Sequence, residues 1–431
     1  MNILIAENAP SFNKGEMAII YGIRECIKDI NNAKLSMLSF RADYDRERYG
    51  KILEIIDTKK SWPIIKTSND GQSLLKSAII AFYHFTFVLL FKLFGKGVLR
   101  FLFTSPIWRE YVITDLVIIG HDSSFGIGGD PETPLFYPLY IPIIAKLLKK
   151  RVIFFAGTIP NFPRRFKKLF RILVKCALKH TDTITLREHK SLRKLEEIDF
   201  KHNDISVTSD PAFLLTPAAD DIIASVIKNE GLDNYKKPWI GLTISRARGI
   251  LAYPDLNNPD LAYEKHLEII AYIVDAVIEN IGAHIIFIPH CVGFNDESDD
   301  RDTARKIYEK CKNKEKICIV CNEYGPDILK GLIGQMDLLI GERLHSVIAA
   351  ITMGVPAIAI SYKADQRLGM IEMVDKDAIC YVENLDTNKL LAKIDYLWTN
   401  RYIIADKSKL SISKVKKATF QNKIKLEGFL N

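Results

Sequence analysis

Asp337-Leu338-Leu339-Ile340-Gly341-Glu342-Arg343-Leu344-His345-Ser346 carries the reading of the fold. Residues 338–341 form a short apolar run of strand length that stops at a glycine. Val347-Ile348-Ala349-Ala350-Ile351-Thr352-Met353 then reads as a helix, closed by Gly354 and by Val355-Pro356. The apolar run 357–361 is strand-like again. Strand, tight turn, helix and strand make a βαβ unit, whose strands lie parallel in one sheet.

The same rhythm extends outward in both directions. Apolar runs at 3–6, 116–120, 152–156, 183–186, 240–244, 285–288 and 317–320 predict further strands. Helical spacing predicts helices at 17–28, 267–281, 302–312 and 346–353. The alternation pauses at Asp210-Pro211-Ala212-Phe213-Leu214-Leu215-Thr216-Pro217, where two prolines bracket the segment. The expected architecture is α/β, with two doubly wound Rossmann-like domains. Residues 1–215 form the first domain and 216–400 the second. A lysine-rich tail, 401–431, either packs back on the first domain as a final helix or frays. Ligands in such sheets bind beyond the carboxyl ends of the strands, so two facing domains would frame a cleft.

Composition fits this picture. A chain of 431 residues is too long for one ordinary core. At 48% hydrophobic and 26% charged residues it is not a disordered chain. The net charge of +8 suits an anionic substrate or a lipid surface, without arguing for nucleic acid. Met1-Asn2 leads straight into Ile3-Leu4-Ile5-Ala6, with no basic flank, so no signal peptide and a cytoplasmic location are expected. The seven scattered cysteines read as reduced thiols. Cys318-Ile319-Val320-Cys321 has metal-like spacing but no second pair, so neither a metal nor a cofactor is expected.

The chemistry concentrates where the 338–341 strand turns into its helix. Unpaired N–H groups and the positive dipole end at a helix start favour phosphate or carboxylate. Arg343 adds a planar fork for an anion, and His345 adds a proton donor that works near neutral pH. Capping residues alone would look the same. What decides between the two is the set of accompanying motifs. Gly341-Glu342-Arg343-Leu344-His345, then a helix, Gly354-Val355-Pro356, a strand and Ser361-Tyr362-Lys363 resemble the polysaccharide pyruvyltransferase family. Asn13-Lys14-Gly15-Glu16 resembles that family's Asn-x-Gly-Asp loop, with Glu16 for Asp. Thr185-Leu186-Arg187-Glu188-His189-Lys190-Ser191 resembles its Arg-Asp-x-x-Ser segment, with Glu188 for Asp. Ser209-Asp210-Pro211-Ala212-Phe213 and Ile288-Pro289-His290 complete the series in the family's order.

This resemblance implies a GT-B-like fold and a reaction in which phosphoenolpyruvate gives its pyruvyl group to a sugar as a ketal. It places donor binding on Arg187, Arg343, Leu344 (through its backbone N–H), His345 and Lys363. The donor carries a carboxylate and a phosphate, so cationic groups must orient it at both ends. The chemistry also needs an acid for the methylene carbon and a base for the attacking hydroxyl. Arg343 and His345 are the expected catalytic groups, and the base is left open among Glu16, Asp122 and His290. Gly120-His121-Asp122-Ser123-Ser124-Phe125-Gly126 stands where the family usually carries glycines, and is read either as an acceptor-sugar contact or as a polar turn. The acidic residues Asp296, Glu297, Asp299 and Asp300 read as a solvated loop, with only His290 facing the cleft.

Two segments point to a membrane surface. Residues 78–94 are nearly all apolar yet fall short of a span, so they read as a buried or an interfacial helix. Residues 163–173 read as a basic amphipathic helix with Phe166, Leu169, Phe170 and Leu173 on one face. The expected partners are phosphoenolpyruvate, a saccharide acceptor carried on a lipid, and the inner face of the cytoplasmic membrane. The rival reading is a GT-B glycosyltransferase using a nucleotide sugar, with Glu342 or Glu372 on the ribose. A third is a non-catalytic sugar-binding relative.

Overall fold

The computed structural model describes residues 1–58, 74–97, 105–120, 125, 136–162, 167–293 and 299–429. They form two compact units. The first comprises Met1–Ser11, Ile23–Pro211 and Ala418–Asn431; the second comprises Phe12–Gly22 and Ala212–Lys417. The short segment 12–22, near the start of the chain, thus belongs with the second unit.

The first unit is built on a seven-stranded sheet. Its strands are β1 Asn2–Ile5, β2 Lys34–Ser39, β3 Glu54–Asp57, β4 Leu116–Ile119, β5 Arg151–Gly157, β6 Thr183–Leu186 and β7 Ile205–Val207. They run parallel in the order β3-β2-β1-β4-β5-β6-β7. The second unit has six parallel strands: β8 Trp239–Thr243, β9 His284–Phe287, β10 Ile317–Ile319, β11 Leu338–Gly341, β12 Ala357–Ser361 and β13 Ile379–Tyr381. Their order is β10-β9-β8-β11-β12-β13. In each sheet the winding reverses beside the first strand, between β1 and β4 and between β8 and β11. That is the place where doubly wound sheets bind ligands.

Every expected strand lies within one residue of an observed one. The strands that apolar runs did not reveal are β2, β3, β7 and β13. Three of these are edges, which need no continuous apolar run. β2 is interior but broken by serines, and Ser36 escapes the cost of burial by hydrogen bonding to Glu110 at 2.5 Å. In the second sheet both faces are covered. Leu339, Ala357 and Ala359 enter one core, while Leu338, Ile340, Ile358 and Ile360 enter the other. Alternation of side chains along a strand with two buried faces produces this division.

Three expectations need correction. The helix expected at 267–281 begins at Pro259, with the Asn258 side chain accepting from the N–H groups of Asp260 and Leu261. Its first turns are partly solvent-facing, so apolar spacing does not mark them. The apolar run at 78–94 is part of a 21-residue helix, Leu74–Phe94. Residues 75–94 have mean hydropathy 1.8, long and apolar enough by length and composition to cross a membrane, yet only 28% of that window is buried. The basic segment begins outside the described residues at 163–166; its described part is the Lys167–Lys179 helix. There Phe170, Val174, Ala177 and Leu178 face the core, whereas Leu169 is exposed. Leu169 and Phe170 are neighbours about 100° apart on a helix, and the core took only the second.

Candidate active site

Gly341 ends β11 at the reversal point of the second sheet, and a side chain there would collide. A Cβ would lie 2.7 Å from Val347 Cγ2 and 3.0 Å from Ser346 Oγ. Glycine therefore lets the Leu344–Thr352 helix start hard against the strand. Arg343 is the residue before that helix, and Ser346 Oγ donates to its carbonyl at 2.6 Å. Ser346 Oγ also meets Thr243 Oγ1 at the end of β8, at 2.7 Å. Glu342 is buried and bound on both oxygens: Ser245 N–H donates to Oε2 at 2.8 Å, and His266 Nε2 lies 2.6 Å from Oε1. Its carboxylate is used up in tying the β8 and β11 loops together.

Arg343 forms a two-pronged ion pair with Asp300, Nε to Oδ2 at 3.1 Å and Nη2 to Oδ1. The same Asp300 oxygen Oδ2 accepts from the N–H groups of His290 at 3.0 Å and Cys291 at 2.8 Å. Burial pushes the Asp300 carboxyl above its ordinary value, with the Arg343 guanidinium pulling against it. For Arg343, burial opposes the charge, but the Asp300 carboxylate outweighs it and raises the pKa, so the fork stays cationic. The Arg343 side chain is nonetheless 24% exposed. The expectation of a solvated acidic loop is thereby corrected: Asp296 and Glu297 lie outside the described residues, Asp299 caps the Asp300–Lys310 helix, and Asp300 is buried. A helix N-terminus that also pairs an arginine satisfies both dipole and charge.

The segment 12–22 docks onto this site. Val292 N–H donates to the Phe12 carbonyl at 2.9 Å, and Lys14 N–H donates to the His290 carbonyl at 2.8 Å. Gly15 then passes His345 so closely that a Cβ would stand 2.4 Å from its Nδ1. Asn13 Nδ2 donates to Glu16 Oε1 at 2.8 Å, holding that carboxylate beside the loop. Lys14 is buried and paired with Glu323 at 2.5 Å. Lys14, His290, Lys330 and His345 line a small pocket together with Ala212 and Leu215. Burial drives the His290 pKa down to about 3, helped by the charges of Arg343, His345 and Lys14. His290 is therefore a neutral imidazole at physiological pH, and it is buried rather than facing solvent. Lys330 donates to the Leu215 carbonyl at 2.6 Å, and burial, aided by Lys416, lowers its pKa to about 7.

A second cationic group stands at the ends of β8 and β12. Asp365 accepts from Arg367 Nε at 2.9 Å, Arg248 Nη2 at 3.2 Å and Ser361 Oγ at 2.8 Å. Burial would raise its pKa, but Arg367 and Arg248 hold it down at about 2. The Arg248 side chain is 12% exposed and lies over the Tyr362 ring at 4.7 Å. Its Nε–H is buried and has no hydrogen-bond partner among the described residues. Burial, followed by the charge of Arg367, lowers the Arg248 pKa, and Arg343 adds to that effect. The two guanidinium groups thus feel one another across the reversal point.

Of the sequence-predicted residues, Glu16, His290, Arg343, Leu344 and His345 come together in the second unit. Lys363 is in the same unit but exposed; its N–H donates to Glu383, and its ammonium stands 6.0 Å from the Tyr381 ring. Asp122 lies outside the described residues. Arg187 departs most from expectation. It is in the first unit, 0% exposed, with Nε on Thr158 Oγ1 at 2.6 Å and Nη1 on Asp210 at 2.9 Å. Beside it Glu188 is also sealed; burial raises its pKa to about 7 against the pull of Arg187. Sequence reasoning missed Arg248, Arg367, Asp300 and Lys14. The available signal for Arg248 was Ser245-Arg246-Ala247-Arg248-Gly249, a basic turn directly after a predicted strand.

Comparisons with known proteins bear on the family and the fold. The model of the polysaccharide pyruvyl transferase family matches residues 13–364, a span that ends just before Asp365 and Arg367. The amylovoran biosynthesis protein AmsJ of Erwinia amylovora is 22% identical over 413 residues, covering 93% of this chain and 92% of its own. Among solved structures, the UDP-GlcNAc 2-epimerase of Neisseria meningitidis bound to UDP-GlcNAc aligns over the whole of both chains at 10% identity, with a TM-score of 0.59. A glycosyltransferase of Rickettsia africae has a TM-score of 0.55 at 14% identity, over 99% of this chain and 97% of its own. Anabaena HepE in complex with UDP has a TM-score of 0.56 at 11% identity, over 99% and 100%. The structural likenesses establish a GT-B-type fold. The match across residues 13–364 establishes the lineage: this chain belongs to the polysaccharide pyruvyl transferase family.

Proposed function

We propose that the second unit binds phosphoenolpyruvate at the β8/β11 reversal point and transfers its pyruvyl group to a sugar of a surface polysaccharide or lipid-linked saccharide, forming a ketal on the cytoplasmic side. One observation carries this reading. Two guanidinium groups of this unit are separately anchored on carboxylates, Arg343 on Asp300 at the start of the helix that carries His345 and Arg248 on Asp365, and the charge of the first acts on the second. A compact donor with a phosphate at one end and a carboxylate at the other fits two such anchors. Arg343, Arg248 and the first N–H groups of the helix, those of Leu344 and His345, hold the anionic groups. Lys363, at the rim, adds charge. His345 hydrogen-bonds the phosphate or passes a proton to the methylene carbon.

Protonation turns that carbon into a methyl group and leaves positive character on the carbon bearing the phosphate. One sugar hydroxyl adds there and loses its proton. Phosphate departs as the second hydroxyl closes the ketal and gives up its own proton. Fixed positive charge lowers the barrier for that departure. Of the described candidates for the base, Glu16 suits the task better than His290, whose pKa near 3 makes it a weak proton acceptor. Arg187, wholly buried, acts by holding Asp210 and Thr158 rather than by touching the donor.

The glycosyltransferase reading draws on the UDP-bound neighbours, but Glu342, its first choice for the ribose, is committed to His266 and Ser245. The test is incubation with phosphoenolpyruvate and a panel of lipid-linked saccharides, followed by mass spectrometry. A product heavier by one pyruvate less one water supports the proposal. Thermal stabilisation by UDP and not by phosphoenolpyruvate, with no such product, overturns it.

A further inference from the structure

The geometry points to a membrane-docking face on the first unit, in which the Leu74–Phe94 helix lies in the plane of an anionic bilayer surface and the basic Lys167–Lys179 helix, packed on the same Tyr137–Leu147 helix, adds positive charge. This goes beyond the transfer reaction and does not depend on it. A surface helix of a water-soluble domain shows one apolar and one polar face. Here the outward face is apolar too. Leu75, Ile79, Phe82, Leu89 and Leu93 recur at helical spacing and are 65%, 37%, 74%, 58% and 66% exposed. No acidic residue occurs anywhere in the helix.

The opposite face is anchored to the core of the same unit, which argues for lying on a membrane rather than crossing it. Phe87 stacks on Trp108 with ring centroids 3.8 Å apart, and the buried His84 meets the Tyr140 hydroxyl at 3.1 Å. A helix crossing the bilayer would have to tear away from these partners. An in-plane helix keeps them and buries only its outward stripe.

Charge selects the occupant. The Leu74–Phe94 helix packs on the Tyr137–Leu147 helix, and so does Lys167–Lys179. The latter exposes Lys167 and Lys168 next to the apolar Leu169 and Ile172, 51% and 63% exposed. Residues 145–171 carry nine Lys and Arg and no acid. Apolar groups flanked by lysines complement acyl chains beneath anionic headgroups. A second copy of the chain would bring lysines against lysines, so self-association is disfavoured.

Sedimentation of the purified full chain with vesicles tests the inference. The chain should bind mixed phosphatidylglycerol–phosphatidylcholine vesicles, bind phosphatidylcholine alone weakly, and be released by alkaline carbonate. The double variant Phe82→Ser, Leu89→Ser should lose at least about tenfold in vesicle affinity. Lys167→Gln and Lys168→Gln should each lose about fivefold, on anionic vesicles only. All substituted residues are exposed, so far-UV circular dichroism and thermal melts should match the parent. No binding to anionic vesicles, or parental binding by the serine variant, overturns the inference. Retention after carbonate would show a spanning helix instead. A dimer dispersed by the serine variant, without vesicle binding, would assign the face to a second copy.

Discussion

Arg187 follows β6 in the first unit and Arg343 follows β11 in the second, and each grips an aspartate at the carboxyl end of a parallel sheet. In sequence they look alike, each a basic residue just beyond an apolar strand. Their surroundings separate them. Arg187, Asp210 and Glu188 are all 0% exposed, and the Arg187 guanidinium is shared between Thr158 and Asp210. Arg343 keeps 24% of its side chain exposed, with Arg248 near enough to feel its charge. A sealed arginine can only organise the protein, whereas a partly open one anchored from behind can hold a ligand. In the proposed function the aspartate fixes the fork before a donor arrives.

The comparison can be broken at several points. Arg187→Ala leaves two carboxylates buried without their cation and should cost about 3–5 kcal/mol of stability, read as a shift in urea midpoint. If this variant keeps its stability and loses only donor affinity, Arg187 reaches the ligand and the contrast fails. Arg343→Ala should do the reverse. Turnover should fall by a hundredfold to a thousandfold, about 3–4 kcal/mol in the transition state, while the fold persists because Asp300 still accepts two backbone N–H groups and can take up a proton.

Acid sharpens the contrast in a different way, since each unit has a histidine that burial holds neutral. Burial lowers both His84 and His290 from an ordinary 6.5 to about 3. Between those values the unfolded chain binds more protons than the folded one, so stability is full above pH 6.5 and falls as pH drops toward 3. By pH 4.5 each should have lost about 2–3 kcal/mol. Melts of His84→Gln and His290→Gln from pH 7 to 4.5 should show a flatter decline than the parent. An unchanged slope would mean these imidazoles are not held neutral. Arg248→Gln should raise the KM for phosphoenolpyruvate about tenfold, or about 1–2 kcal/mol, with kcat little changed. Lys363→Ala, exposed and without an ion-pair anchor among the described residues, should change KM by a few fold at most.

Local patterning was sufficient for much of this protein. Short apolar runs separated by helix-length segments specify parallel sheets, and Gly341 before Arg343-Leu344-His345 specifies a strand that turns sharply into a helix, because these features depend on neighbours in the chain. Edge strands such as β7 and β13, three residues each, carry too little pattern to be seen. Charge context was beyond local reading. Asp300 sits in an acidic stretch that looks solvated, yet it is buried under Arg343. Arg187 belongs to a recognisable motif, yet it is sealed. Lys14 and Gly15 are 275 or more residues away in sequence from the His290 and His345 they touch. Which ionic groups face a ligand and which are buried depends on what the folded chain brings within a few ångströms, and only the tertiary structure decides that.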